Sequence, residues 1–224
     1  MNRLAQEYFR SSYENVMYSG WVGFYSRITH RIMEYPYRNR KFDKILEVGA
    51  GKGQHFEFVK CKFNEYIETD LDSELITATG ISETTSNFSK RVVDAEDLSQ
   101  FIESSFDRLI ATCLLAHLQF PEIALQHWRR VVSHNGFITI YVPTEPGFFL
   151  RSLRKLIMVP KSKRFGYDHI STIYRDHRNH YPMMQLLIEE VFSNDHIKRM
   201  RFPFPGFGWN FNLFEIYQIR VSKS

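Results

Sequence analysis

Three glycines at alternate positions follow a short apolar run and form the strongest chemical signal in the sequence. Residues 45–48 lead directly into Gly49, Gly51 and Gly53. Glycine permits sharp turns and lets the backbone approach a ligand closely. Asp70 comes 21 residues after Gly49, at the end of the next apolar run, where a carboxylate can accept hydrogen bonds from a ribose. The spacing therefore predicts a nucleotide-like ligand at the carboxyl ends of two neighbouring strands.

The loop differs in sequence from two known kinds of nucleotide-binding loop. A phosphate-binding loop would place Ser or Thr after its lysine, and neither follows Lys52. In a dinucleotide fingerprint the third glycine would stand at the position of Gln54, whereas here it comes one residue earlier. The Tyr-x-x-x-Lys pattern of the sequence, Tyr37 to Lys41, precedes the loop and lies in a polar linker, so it does not support hydride transfer. A hydride-transfer enzyme is therefore the weaker alternative.

The elements that must position this loop alternate between strands and helices. Alternation of this kind predicts a parallel sheet covered on both faces, and right-handed crossovers make it doubly wound. Two late strands close in sequence predict an antiparallel hairpin at the sheet edge. The predicted strands are residues 44–48, 65–69, 90–93, 108–112, 137–142, 197–202 and 211–221. The predicted helices are two within 3–35, then 53–59, 72–78, 97–102, 121–132 and 182–192.

In this order, the motifs resemble those of class I S-adenosylmethionine-dependent methyltransferases, in the broad group that methylates small molecules. The resemblance covers residues 43–143. It implies a Rossmann-like doubly wound sheet of seven strands, mostly parallel with an antiparallel last strand, and an N-terminal helical lid. The matching segments are 47–53 for the first motif, Asp70 for the ribose-binding acid, 94–98 for the adenine segment, 105–110 for the fourth strand, 114–118 for a short helix and 130–136 for a turn.

The resemblance also implies S-adenosyl-L-methionine as the cofactor. Asp70 would bind the ribose, Asp94 the adenine amino group, and the chain near Cys113 the cofactor ammonium. Glu47 would lie buried beneath the glycine loop and organise it, which requires hydrogen bonds to its carboxylate. The complete set of expected cofactor-binding residues is Glu47, Gly49, Ala50, Gly51, Gly53, Asp70, Leu71, Asp94, Ala95 and Cys113.

Methyl transfer from a sulfonium needs alignment of the acceptor and exclusion of water, and a base only where the acceptor must lose a proton. His117 follows the fourth strand, on the side where the methyl group would point. It is either a general base, an acceptor-orienting group, or a histidine without a catalytic role that lies on a helix surface or has its hydrogen bonds satisfied within the protein. His180, in a polar cluster at residues 177–181, is a second catalytic candidate. This reaction predicts no metal.

Residues 145–181 interrupt the alternating pattern and predict a cap over the acceptor. The stretch 147–167 contains six basic residues: Arg151, Arg154, Lys155, Lys161, Lys163 and Arg164. They form either a solvated surface or a contact for an anionic acceptor, a phosphate-bearing carrier or a membrane surface. No nucleic-acid-binding motif is visible, so nucleic acid is not the expected partner. Residues 111–114 lack the Pro-Pro-aromatic run of exocyclic-amine nucleic-acid methyltransferases.

Composition limits the classes of protein to which the sequence can belong. The 224 residues are 43% hydrophobic and 24% charged, with a net charge of +4, which is typical of one globular domain. Two cysteines exclude a disulfide framework and suit the cytoplasm. Neither a secretory signal nor an apolar run of membrane-spanning length is visible. The predicted division is a lid at 1–40, a cofactor-binding core at 41–145, an acceptor cap at 146–181, and a last helix with an edge hairpin at 182–224.

The sequence thus predicts a cytoplasmic methyltransferase that modifies an oxygen or nitrogen of a small or carrier-linked polar molecule, with a sugar as one possibility. A NAD-dependent oxidoreductase remains an alternative, as does a non-catalytic module that binds the cofactor or an anion. The oligomeric state is left open.

Overall fold

The computed structural model describes residues 18–77, 87–164, 166 and 168–223. Within these residues, seven strands form one sheet in the order β3-β2-β1-β4-β5-β7-β6. Strands β1 to β5 pair in parallel, and β7 runs antiparallel to both β5 and β6. This arrangement confirms the predicted fold. The strands are β1 (Lys41–Val48), β2 (Lys62–Asp70), β3 (Phe88–Val92), β4 (Phe106–Thr112), β5 (Val132–Pro143), β6 (His196–Phe202) and β7 (Phe214–Arg220).

Helices cover both faces of the sheet and the carboxyl ends of its strands. None of the helices in the described ranges is long and apolar enough to cross a bilayer. A π-helical turn, Arg154–Met158, joins α4 to α5. The helices are α1 (Gly20–Glu34), α2 (Ser73–Thr77), α3 (Pro121–Val131), α4 (Phe148–Leu153), α5 (Val159–Lys163), α6 (His169–Asp176) and α7 (Tyr181–Val191).

Two apolar clusters, one on each side of the sheet, hold the fold together. Trp128 of α3 and Met184 of α7 belong to the larger cluster, with Leu46 of β1 among the strand residues they cover. Ile45, next to Leu46, faces the other cluster, where α1 contributes Met33. Successive side chains of a strand point to opposite faces. The core strands therefore read as continuous apolar runs, which made them visible in the sequence.

Three predicted helices are wrong. Residues 97–102 form turns because the Asp94 and Asp97 carboxylates accept hydrogen bonds from the backbone N–H groups of Glu96 and Ser99 (both 2.9 Å), an arrangement that competes with helix formation. Residues 53–59 contain a single 3₁₀ turn, Phe56–Phe58, before β2 begins. Residues 114–118 also form a turn.

The other elements lie close to their predicted positions. The helix predicted at 72–78 is α2, and residues 78–86 lie outside the described part of the chain. Of the two helices expected within 3–35, the second is α1, while the first falls on residues 1–17, which the structure does not describe.

Candidate functional site

A cavity of about 840 Å³ opens where β1, β2, β4 and β5 end. Residues of α1, of α4 with the π-helical turn, and of α6 form its other walls. The carboxyl ends of parallel strands are where open α/β sheets bind ligands. The volume lies within the range of roughly 300–1,000 Å³ that is usual for small-molecule sites. This cavity is therefore the candidate active site.

The glycine loop shapes one end of the cavity through close packing. Gly49 has a φ of +63°, and a Cβ there would lie 2.6 Å from the side chain of Leu114. Gly53 has a φ of +74°, and its Cβ would lie 2.8 Å from the carboxylate of Glu68. Other residues adopt such positive φ values only at a cost. Both positions therefore require glycine for packing as well as for the turn.

Asp70 closes the same end of the cavity. Its Oδ2 accepts a hydrogen bond from the Gly51 N–H (2.8 Å), and its Oδ1 accepts one from the Asp72 N–H (2.9 Å). Burial raises the pKa of this carboxyl group. A carboxylate offers about four acceptor positions, so both oxygens keep capacity for a ligand. The backbone bonds hold the carboxylate in place while leaving it able to bind hydroxyl groups.

Two residues of the segment predicted to bind adenine line the same cavity. Asp94 is exposed, and its Oδ1 accepts a hydrogen bond from the Glu96 N–H. Ala95 is buried next to it. Among the predicted binding residues, those that line the cavity are Gly49, Ala50, Gly51, Asp70, Leu71, Asp94, Ala95 and Cys113. Glu47 and Gly53 are not part of the lining.

Glu47 lies fully buried behind the loop, as expected, but its hydrogen bonding differs from the expectation. The Tyr66 hydroxyl donates to Oε2 (2.6 Å), and Oε1 has no partner among the described residues. Glu68 stands beside it on β2, in register, also fully buried. Burial, together with the charge of Glu68, raises the pKa of Glu47. Burial raises the pKa of Glu68 to about 7 even though Lys90 opposes the shift. The pair therefore favours protonated carboxyls.

His117 lines the cavity beyond β4 and is held by an acid. Its Nδ1 lies 2.7 Å from Asp176 Oδ2, and its ring packs edge-on against that of His177 with centroids 4.5 Å apart. Burial opposes the charged ring, but hydrogen bonds to Asp176 and Cys113 raise the pKa of His117 to about 9. Pairing with Asp176 therefore favours the protonated ring, whereas a general base would need the neutral ring.

Two histidines of the cap, His177 and the second catalytic candidate His180, differ in placement. His177 lines the cavity, and its Nδ1 lies 2.5 Å from Glu145 Oε2, while Glu145 also pairs with Arg154. Burial and the charges of His117 and Arg154 lower the pKa of His177, which keeps its ring neutral. His180 is exposed, directly precedes α7 and is not part of the cavity lining. His180 instead lines a small neighbouring cleft, which His177 also lines.

A buried polar chain that the sequence analysis missed joins α1 to the sheet. Arg108 lies in β4, is fully buried, and donates to both carboxylate oxygens of Glu34 in α1. Glu34 Oε1 lies 2.9 Å from His55 Nε2, and His55 Nδ1 lies 2.8 Å from His30 Nδ1. His30 Nε2 then lies 2.9 Å from the Tyr18 hydroxyl. The signal available in the sequence was an arginine directly before the apolar run at residues 109–111.

Burial and pairing determine the charges of the side chains in this buried polar chain. Burial opposes ionisation of Glu34, but Arg108 and His55 lower its pKa to about 2. Burial and His55 lower the pKa of His30 to about 3. Glu34 and Arg108 therefore form a buried ion pair, and His30 is neutral. Since Tyr18, His30 and His55 line the cavity, this chain anchors α1 as a cavity wall.

The half of the cavity away from the glycine loop is mostly apolar. The Tyr25 hydroxyl is buried there and has no hydrogen-bond partner among the described residues. The phenol ring packs edge-on against Phe214, with centroids 5.6 Å apart. The apolar lining side chains come from β5, β6, α4 and the π-helical turn: Tyr141, Pro143, Leu150, Leu153, Ile157, Met158 and Phe202.

Comparison with protein families identifies one domain. Residues 46–140 match the family described as "Methyltransferase domain". The match spans β1 to β5 and thus includes the glycine loop, Asp70, Asp94 and His117. A comparison with curated proteins gave no significant match.

Solved structures share the fold at low sequence identity. One is a chain of the complex of the Haloferax volcanii Trm112 methyltransferase activator with its methyltransferase partner (TM-score 0.69, 12% identity, 100% of both chains covered). Another is the N-methyltransferase NodS from Bradyrhizobium japonicum WM9 (TM-score 0.61, 11% identity, 88% of this chain and 97% of that chain). These similarities support the fold.

Proposed function

We propose that this class I S-adenosylmethionine-dependent methyltransferase modifies an oxygen or nitrogen of a small molecule bound between α1 and the cap helices α4 to α6. S-adenosylmethionine supplies a methyl group already activated on a sulfonium. The protein then has to align the acceptor and exclude water. One observation carries the proposal: a single cavity contains the glycine loop with Asp70 at one end and His117, against an apolar wall, at the other.

The residues at the loop end suit the cofactor. A Cβ at Gly51 would have only the Gln54 side chain within 4 Å, at 3.9 Å, so the backbone there is open to a ligand. The Asp70 carboxylate would hold the ribose hydroxyls, and Asp94 the adenine amino group. Cys113 has a φ of +56°, an uncommon conformation for a residue other than glycine. This turn exposes the strand end to the cavity, where its carbonyls would face the cofactor ammonium.

The acceptor end favours a molecule with a largely apolar body. Tyr141, Leu153 and Phe202 would contact that body, while the Tyr25 hydroxyl and the His117 ring offer polar contacts. Apolar walls with a few convergent polar groups are typical of small-molecule sites. A sugar remains an untested prediction, and an apolar or aromatic acceptor with one polar group suits these walls better.

The charge of His117 restricts the reacting group. A protonated imidazole donates hydrogen bonds but cannot accept a proton. The ring would therefore exchange its contact with Cys113 for one with an acceptor atom that already presents a free lone pair, namely an ionised oxygen acid or a neutral amine. In this role His117 is an acceptor-orienting group, one of the two functional alternatives raised by its place after the fourth strand.

Calorimetric titration with S-adenosylmethionine, S-adenosylhomocysteine and NAD tests the cofactor assignment. We expect binding of the first two compounds and none of NAD. A panel of phenols, carboxylic acids, amines and sugars, assayed with tritiated-methyl cofactor, then tests the acceptor class. Label transfer to phenols or carboxylic acids would support the orienting role. Transfer to sugars alone would contradict the apolar acceptor.

A further inference from the structure

Four phenylalanine side chains are exposed on the outer side of the cap. Phe148, Phe204, Phe207 and Phe211 have 45–59% of their surface accessible. Phe148 begins α4, and the other three lie in the turn between β6 and β7. Helix α4 packs against the 3₁₀ turn Trp209–Phe211, and the rings of Phe149 and Phe204 lie 5.8 Å apart. The four exposed rings therefore belong to one continuous surface.

The turn that carries three of these rings is rigidly held. The Asn212 side chain accepts the Phe204 N–H (2.8 Å) and donates to the carbonyls of Phe204, Phe207 and Gly208 (3.0–3.2 Å). Asn212 itself is fully buried. The exposed rings consequently project from a fixed scaffold. Exposed apolar patches on such a scaffold usually mark an interaction site.

Positive charge accompanies the rings. Arg151 and Lys155 are exposed, and both line one small cleft beside α4. Residues 147–164 contain no acidic residue. Glu145, just before them, is buried and paired with Arg154 and His177, so its carboxylate is already neutralised. The surface therefore combines aromatic rings with exposed basic side chains.

We propose that Phe148, Phe204, Phe207, Phe211, Arg151 and Lys155, here called the aromatic-basic surface, dock the protein on a lipid bilayer with anionic headgroups. Aromatic rings enter the interfacial region of a bilayer, and each nearby Lys or Arg contributes about 1 kcal/mol on an anionic leaflet. Three rings projecting from a turn suit a deformable bilayer interface better than a preformed protein groove.

The position of this surface connects it with the cavity. On α4, Phe148 and Arg151 face outward, while Leu150 and Leu153 line the cavity. Ile157, in the adjoining π-helical turn, lines the cavity and is partly exposed. One helix thus separates the aromatic-basic surface from the acceptor wall. Docking would bring the apolar half of the cavity close to the bilayer.

Co-sedimentation with vesicles tests the proposal without cofactor or acceptor, and so independently of the proposed function. The wild-type protein should bind vesicles containing phosphatidylglycerol more strongly than pure phosphatidylcholine vesicles, and salt should weaken the binding. Phe204→Ser with Phe207→Ser and Phe211→Ser should abolish it. Arg151→Gln with Lys155→Gln should reduce it roughly 10–30-fold. All variants are first shown to be folded by circular dichroism and thermal melting.

The matched control is Ile102→Ser with Phe120→Ser, two exposed apolar residues outside the surface, which should leave vesicle binding unchanged. Absence of vesicle binding, equal binding to both vesicle types, or an equal loss in the control would overturn the proposal. Sedimentation as a dimer that the triple phenylalanine variant dissociates, without vesicle binding, would assign the surface to a second copy of the chain instead.

Discussion

In the proposed function, the charge of His117 restricts which acceptors the site can use. The ring lies against Asp176 at 2.7 Å, and its pKa of about 9 means that it is protonated near neutral pH. The sequence allows His117 as a base, whereas its pairing with Asp176 favours a protonated ring that donates hydrogen bonds. Asp70 is the matching residue at the proposed cofactor end, where two backbone N–H groups hold its carboxylate.

The pH dependence of turnover tests the role of His117. If the protonated ring orients the acceptor, the rate should fall as pH rises through about 9. His117→Gln keeps a donor that does not titrate, so this fall should vanish and turnover should drop roughly 10–150-fold. Asp176→Asn should move the fall to lower pH. A wild-type rate that increases through pH 9 would instead make His117 a base.

The same pair affects stability in a defined direction. The folded pKa of His117 lies above the value of 6.5 for an unperturbed histidine. The stabilisation from pairing with Asp176 is therefore complete below pH 6.5 and is lost as pH rises through about 9.

Asp70→Asn tests the ribose contact. Losing charge-assisted hydrogen bonds worth ~1.5–3 kcal/mol should weaken S-adenosylmethionine binding roughly 10–150-fold. The control is Asp97→Asn, since Asp97 also accepts a backbone N–H but is exposed and outside the cavity lining. Calorimetric affinities that are equal for both variants would remove Asp70 from the site.

Helix α1 is attached to the sheet by charge as well as by apolar packing. Arg108 of β4 and Glu34 at the end of α1 form a buried ion pair, and Arg108 also stacks over the Tyr37 ring at 4.0 Å. The loop after β1 is the second element on which the cavity depends. Its first glycine, Gly49, has no Cβ and so leaves room for the Leu114 side chain.

Glu34→Gln should leave Arg108 charged and without its buried carboxylate. Removing one partner of a buried ion pair costs about 3–5 kcal/mol, measurable by urea denaturation. Glu65→Gln breaks the exposed pair with Lys44 (2.9 Å) and should cost less than about 1 kcal/mol. The double variant Glu34→Gln with Arg108→Met should recover part of the loss. Equal losses for Glu34→Gln and Glu65→Gln would show that the pair does not anchor α1.

Gly49→Ala should distort the loop. A left-handed φ costs a residue with a Cβ roughly 1–2 kcal/mol, and contact with Leu114 adds to that cost. We expect lower stability and at least roughly tenfold weaker cofactor binding. Leu114→Ala in the same chain should recover only the part due to the contact. Gly206→Ala, with open space around it, is the control and should change neither measurement.

For the whole molecule, the buried pair Glu47 and Glu68 makes stability depend on pH. The Glu68 pKa rises from 4.5 to about 7 on folding. In the unfolded chain this carboxyl ionises above pH 4.5, while in the folded protein it stays protonated until about pH 7. Stability should therefore fall as pH rises through this window.

Glu68→Gln removes this dependence. The variant should be more stable than the wild-type protein at pH 8, by up to about 3 kcal/mol, and equally stable at pH 4. Urea denaturation at both pH values measures the difference. Glu57→Gln alters an exposed carboxyl group and should show no such divergence. A Glu68→Gln variant destabilised equally at both pH values would contradict a protonated Glu68.

The sequence by itself determined the seven-stranded, mostly parallel sheet and the glycine loop at one end of the cavity. These features depend on short-range patterns: apolar runs, three glycines after β1, and acids at the ends of strands. Asp70 and Gly49 could be predicted because strand-end residues of a parallel sheet meet at one edge. The helix predicted at residues 97–102 was wrong because side-chain hydrogen bonds to the backbone, which helix periodicity does not report, decided the local structure.

Only the tertiary structure decided the charges and the acceptor end. Arg108 meets Glu34 across 74 positions, and Asp176 reaches His117 from a separate helix. Such distant pairs leave no periodic trace in a single sequence. They determine protonation because burial removes water, so the nearest charge or hydrogen bond determines which form is stable. The acceptor wall likewise assembles from β5, β6 and α4, segments that become neighbours only when the sheet closes against the cap.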